Sequence, residues 1–155
     1  MTGDTLYSGR PMAFVNLGLS RLQLGEKTEA EAAFTRALSM DRRNSVALLE
    51  MGFLRLEAGD TVEAARYHSD YRATAPTQSP RGLLLGLEIA RAAGDTDEAA
   101  RYHSDYRATA PTQSPRGLLL GLEIASATGE SDTQSSYELA LRNLYPDSSE
   151  YRLWE

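Results

Sequence analysis

Apolar side chains recur three and four positions apart, in short blocks separated by glycine. Phe14, Leu17 and Gly18 open the first block, and Ala30, Phe34 and Ala37 follow beyond Gly25. Leu48, Met51 and Gly52 precede Gly59, with Ala64 after it; Leu85 and Gly86 precede Gly94 and Ala99; Leu120 and Gly121 precede Gly129. Such spacing gathers residues on one face of an α-helix, so each block predicts two amphipathic helices joined at a glycine turn. The end signals agree. Ser79-Pro80 and Ser114-Pro115 each offer an N-cap hydroxyl followed by proline at the first helical position, where its missing N–H costs nothing. Asp60-Thr61 and Asp95-Thr96 follow turn glycines and start second helices. After Pro146, residues 147–155 predict a short closing helix, capped by Ser148 or Ser149, with Tyr151 and Trp154 facing back onto the last pair.

The blocks repeat. Glu63–Ala90 and Glu98–Ala125 are identical residue for residue at an offset of 35, Gly25, Gly59, Gly94 and Gly129 stand 34, 35 and 35 apart, and Pro76, Pro111 and Pro146 recur every 35. Self-similarity at this period marks stacked helix–turn–helix units. Removing Arg91–Ala125 leaves a smooth Leu-Glu-Ile-Ala-Ser-Ala-Thr-Gly join, as expected if one unit was inserted into a shorter parent, either by recent tandem duplication or by construction.

A large residue, then Leu-Gly or its equivalent, then Ala with a ring after it, then Pro, resembles the tetratricopeptide (TPR) pattern. The small residue lets two helices approach closely, the Ala opposite does the same, and Pro ends the second helix. The implied fold is all-α, a right-handed TPR superhelical solenoid of four helix–turn–helix pairs plus a short C-terminal capping helix. Residues 1–10 are expected as a linker with a vector-like start, 11–146 as the array (units 11–44, 45–78, 79–113 and 114–146) and 147–155 as the cap. Arg42 replaces the first Pro and Gln134 the last Ala, which predicts looser packing in the fourth unit.

Composition narrows the function. At 155 residues, 41% apolar and 25% charged, the chain has enough material for a buried core. A net charge of −6 argues against nucleic acid, whose binders carry a basic stripe. Fifteen of the sixteen basic residues are arginine, Lys27 being the exception. With no cysteine, disulfides, thiolate metal sites and a lipidated Cys are excluded for this chain. The N-terminus shows no signal-peptide pattern and no apolar run is long enough to span a bilayer, so the chain as it stands is expected to be soluble and cytoplasmic, without membrane insertion.

No reaction chemistry is legible. Tyr67-His68-Ser69-Asp70-Tyr71 and its copy Tyr102–Tyr106 juxtapose His, Ser and Asp, but neighbouring helical residues point about 100° apart and cannot form a triad. His68 and His103 fall where the motif places a ring between helices, so packing is the expected role and metal ligation is not. The tyrosines at 67, 71, 102 and 106 are expected to pack, and Arg66, Arg72, Arg101 and Arg107 to extend outward. Gly82-Leu-Leu-Leu-Gly86 has the spacing of a membrane dimer motif, but Glu88 on the same helix favours close soluble packing. No catalytic, metal or cofactor residues are assigned.

The expected role is protein binding. In a TPR superhelix the first helix of each pair lines the concave face. There the alignment places Val15, Leu19 and Leu22, then Leu49, Phe53 and Leu56, then Leu83 and Leu87, and their copies Leu118 and Leu122. If exposed, this strip is a patch for an apolar or amphipathic helical segment. Alternatively, its members pack against neighbouring helices.

Asp4-Thr5-Leu6-Tyr7, Phe14-Val15-Asn16-Leu17-Gly18-Leu19, Val46–Met51, Leu83-Leu84-Leu85-Gly86, and Leu144-Tyr145-Pro146 with Glu150-Tyr151 resemble a narrower group. It comprises the type IV pilus biogenesis lipoproteins called pilotins, of the PilF/PilW type, specifically the C-terminal part of their TPR array. The resemblance implies a protein partner, an outer-membrane secretin whose membrane delivery and multimerisation such proteins assist, at the periplasmic face of the outer membrane. A different reading is an engineered, repeat-extended TPR array with no native partner. Identical neighbouring units also permit exchange of helices between chains, so some domain-swapped homodimer is expected.

Overall fold

The computed structural model describes residues 2–75, 77–109 and 114–154, with side chains from residue 10 onward. The described residues are helical throughout, connected by short turns, and fall into two compact units, Met1–Gln78 and Ser79–Glu155. The first unit holds α1 (Thr2–Gln23), α2 (Lys27–Met40), α3 (Ser45–Glu57) and α4 (Thr61–Thr74). The second holds α5 (Pro80–Ala92), α6 (Thr96–Thr109), α7 (Pro115–Thr128), α8 (Ser131–Leu144) and α9 (Ser149–Trp154).

The helix starts follow the capping chemistry. Ser79 and Ser114 hydroxyls accept the N–H of Gly82 and Gly117, each at 3.1 Å, with proline at the first helical position. Asp60 and Asp95 carboxylates accept the N–H of Glu63 and Glu98 at 3.1 and 3.0 Å. Each bond satisfies one of the orphan donors of a helix's first turn. Ser148, rather than Ser149, caps α9, accepting the Tyr151 N–H at 3.1 Å. Gly25, Gly59, Gly94 and Gly129 have φ of 77°, 83°, 77° and 76°. In this left-handed region a Cβ is penalised, so the four turns require glycine.

Helix α1 begins at Thr2, so residues 2–10, expected as a linker, continue the first helix. Pro11 lies inside it, where it removes one backbone hydrogen bond and its ring crowds the carbonyl one turn earlier. Where Arg42 replaces the motif's proline, α2 stops after Met40 with Asp41 in extended backbone, its carboxylate accepting the Arg43 N–H at 3.1 Å. Pro76 and Pro111, expected to end second helices, lie outside the described residues.

The first unit's core joins Val15, Ala30, Phe34, Ala37, Ala47, Met51 and Leu54, with Phe14, Leu19, Leu22, Leu38 and Tyr67 packed around it. Phe34 is fully buried beside Gly18, where an added Cβ would lie 2.6 Å from the ring's Cε1. That glycine is there for space, not for φ. Leu17, the expected framework residue, is 41% exposed, whereas Met51, Leu85 and Leu120 at the same repeat position are buried. Helix α7 packs against both α6 and α8, so Leu120 meets Ala99 of the preceding helix; α1 has its main partner, α2, on one side only.

In the second unit Leu87, Ala90, Ala99 and Leu120 form one cluster, and Leu118, Leu122, Tyr137 and Leu141 form another, against which Tyr145, Tyr151 and Trp154 pack. Helix α9 therefore closes the far side of α7, as a solenoid's terminal cap must. Position 134, Ala in the other units, is a half-buried Gln, and Tyr137 and Leu141 are the buried residues of α8. A cavity of about 180 Å³ lies among α6, α7 and α8, lined by His103, Arg107, Gly121, Ile124, Thr133 and Tyr137; Gln134 is not among the residues that line it.

Replacing Gly18 with Val should destabilise the chain by about 1–3 kcal/mol, the usual cost of overpacking a filled site, read as a lower urea midpoint with unchanged helical content.

Candidate functional site

The ten strip residues share their place on the first helices but not their exposure. Val15, Leu49, Leu83, Leu87, Leu118 and Leu122 are buried, at 8% exposure or less. Leu19, Leu22, Phe53 and Leu56, all in the first unit, are half-buried. The physical reason differs along the strip. Val15 belongs to the first unit's core and Leu87 to the cluster with Ala99 and Leu120, while Leu118 and Leu122 sit under Tyr151 and Trp154 of the cap. An approaching segment would therefore meet Leu19, Leu22, Phe53 and Leu56 without any opening of the fold. Leu22 and Leu56 are repeat equivalents, one period apart on successive first helices.

The surroundings of these four are charged. Arg21 pairs with Glu26 at 2.7 Å, Lys27 with Glu57 at 2.6 Å, and Arg55 with Glu31. In the second unit, ion pairs lace the first helices α5 and α7: the Arg116 guanidinium reaches Glu88 at 2.8 Å, and Arg91 contacts Glu123. Exposed pairs of this kind add little stability individually, but they fix polar rims beside apolar residues.

The His-Ser-Asp stretches are structural. His68 is buried, its Nε2 3.0 Å from Gln78 Oε1, while Ser69 and Asp70 are exposed on the same helix. His103 is buried edge-on to Tyr137, with ring centroids 5.4 Å apart, and an added Cβ at Gly121 would fall 2.8 Å from its Nε2. Each histidine thus takes the inter-helix ring position that Phe34 holds in the first pair. Tyr106 is buried as well. Its hydroxyl lies 3.2 Å from Ser114 Oγ and accepts the Ser114 N–H at 3.3 Å, which ties the end of α6 to the cap of α7. Sequence reasoning assigned this tyrosine to packing, and the pairing of its hydroxyl with the N-cap serine depends on how α6 meets α7.

Arg66 stands over the Tyr67 ring, 4.6 Å from its centroid, and donates to Glu63 at 2.7 Å. Arg107 lies over Tyr137 at 5.6 Å. The hydrogen bond from Arg66 holds the Glu63 carboxyl below its ordinary value of 4.5 against the opposing effect of desolvation, aided by the positive charges of Arg66 and Arg55, and Glu63 in turn raises Arg66.

With this geometry, the class is settled: the chain has the TPR fold. Its structure resembles a PilF structure from Pseudomonas aeruginosa with TM-score 0.79 at 23% identity, over 95% of this chain and 66% of that one. It resembles PilW, described as a widely conserved type IV pilus biogenesis factor, with TM-score 0.72 at 25% identity, over 95% and 68%. A thermophilic TPR protein of Thermus thermophilus superposes with TM-score 0.69 at 19% identity, over 88% and 75%. In sequence, the chain is 36% identical over 88 residues to the type IV pilus assembly protein PilF of Pseudomonas aeruginosa, a match spanning 57% of this chain and 34% of PilF, about a third of that relative's length. No family model matches. No described helix is long and apolar enough to cross a membrane.

Two outcomes are expected. Tyr106→Phe keeps the ring and loses the bonds to Ser114, and should cost about 1 kcal/mol by urea denaturation. Because native Glu63 has a lowered pKa, its contribution is complete above the ordinary carboxylate range and is lost as pH falls through the native value; Glu63→Gln should therefore flatten the acid limb of a plot of urea midpoint against pH.

Proposed function

We propose that this chain is a protein-binding scaffold of type IV pilus biogenesis, acting as pilotins do, and that it assists assembly of an outer-membrane secretin at the periplasmic face of the outer membrane. The observation that carries this reading is the 36% identity to PilF, found together with PilF-like architecture. The partner segment would be a short amphipathic helix whose apolar side meets Leu19, Leu22, Phe53 and Leu56 and whose polar edges meet the ion pairs around Arg21 and Lys27. Binding is by shape and apolar burial, and no catalytic group is assigned.

A second reading is an engineered, repeat-extended array with no native partner. It is favoured by the verbatim copy at Glu63–Ala90 and Glu98–Ala125, since neighbouring natural units drift apart at surface positions that packing does not constrain.

The test is a pull-down from the envelope extract of a type IV-piliated bacterium, comparing this chain with a Leu22→Gln, Leu56→Gln variant. These half-buried positions leave the core intact, whereas a polar side chain at buried Leu49 would disturb the fold itself. Capture of the secretin, reduced at least tenfold in the variant, is expected. Failure to capture the secretin with helical content intact would favour the engineered array.

A further inference from the structure

Within the second unit α7 packs against α6 and α8, as α3 packs against α2 and α4 within the first, but the two trios are filled differently. In the first, Phe34 lies in the apolar core and Leu38 and Tyr67 pack against it. At the equivalent repeat positions of the second stand His103, Arg107 and Tyr137. Arginine in place of leucine takes away an apolar side chain, and the cavity of about 180 Å³ lies there, lined by Arg107 and His103 together with Gly121, Ile124, Glu130 and Thr133. Packing does not account for its polar groups. Arg107 is exposed and rests over the Tyr137 ring, 5.6 Å from its centroid, rather than on a carboxylate. Glu130 takes the N-cap place of α8 without capping it, whereas Asp60 and Asp95 cap α4 and α6 from that place and Glu26 is held by Arg21. Among the described residues the Glu130 carboxylate accepts only the Thr128 hydroxyl, at 3.3 Å. Tyr137 is 8% exposed, and its hydroxyl is buried with no hydrogen-bond partner, where phenylalanine would serve a purely apolar core at lower cost.

We propose that this cavity binds a small zwitterion of the amino-acid class with an aliphatic side chain. Its lining carries one cation, Arg107, and one carboxylate, Glu130, both exposed. A ligand with a single charge would meet attraction from one and repulsion from the other, whereas a ligand bearing both charges is attracted by both. The guanidinium offers a planar pair of donors to the ligand carboxylate, and Glu130 accepts from its ammonium group. Ile124, Ala100 and Ala125 supply an apolar wall for the side chain. At Gly121 an added Cβ would lie 2.8 Å from His103 Nε2 and 3.2 Å from Tyr137 Cε2, so no side chain can stand on α7 at this point of the lining. Size sets the rest of the class, because pockets for drug-sized ligands run to about 300–1,000 Å³ and this one holds a single amino acid. The cavity shares no residue with the apolar strip of the first helices, so occupancy here leaves that strip open to a protein partner.

The test is an NMR titration of the full, nitrogen-15-labelled chain with L-leucine and with two analogues that each lack one of its charges, 4-methylpentanoate and 3-methylbutylamine. Leucine is expected to shift the Gly121 and Thr133 amides saturably, with a Kd of about 1 mM or below. Each analogue is expected to bind about tenfold more weakly, as the loss of one charge-assisted contact implies. Arg107→Gln and Glu130→Gln alter exposed side chains, so both variants should keep the urea midpoint of the unmodified chain while each weakens leucine about tenfold. Absence of saturable shifts up to about 20 mM leucine, well above that Kd, would overturn the proposal. So would an analogue that binds as tightly as leucine, or variants that bind it as tightly as the unmodified chain does.

Discussion

The structure depends on how closely the second helix of a pair can approach a first helix. At Gly18 and Gly121 the missing Cβ makes room for a ring, Phe34 in one case and His103 with Tyr137 in the other, with less than van der Waals clearance for any larger residue. Once that distance is fixed, much follows. The ring position is buried whatever its chemistry, which is why a histidine can stand where a phenylalanine does. Ala30, Ala64 and Ala99, buried one turn earlier on their helices, must stay small. Where α6, α7 and α8 meet, around His103, Gly121 and Tyr137, the helices leave a cavity.

Close packing of this kind also governs what remains for a partner. An apolar strip along first helices reads as a binding groove only if the array leaves it uncovered. Here the second unit covers its share, through its own clusters and through the Tyr151 and Trp154 side of the cap, and the first unit leaves four residues half-buried. Residues of one strip thus serve as core at some positions, Val15 and Leu49 included, and stay half-buried at others.

Repetition gives the molecule a further property that neither fold nor charge supplies. In most solenoids each junction is distinguished by drift at its surface residues, which keeps the units in order. In this chain the stretches Glu63–Ala90 and Glu98–Ala125 are identical, so that sequence distinction is absent between them.

Much was legible in the sequence because its causes are local. The period, the turn glycines with positive φ, the serine and aspartate caps and the burial of both histidines each follow from residue type within one or two turns. Likewise, the TPR resemblance rests on small-residue spacing that sequence displays directly. What only the tertiary structure decided involves residues far apart in the chain. That Leu17 is exposed while Leu120 is buried depends on whether a helix lies against that face, not on the side chain. Leu118 and Leu122 of the strip are covered because α9 folds back on α7, a contact between segments that no periodicity records. Helical pattern specifies which face of an element is apolar; which neighbour covers that face is settled by the packing of the whole array.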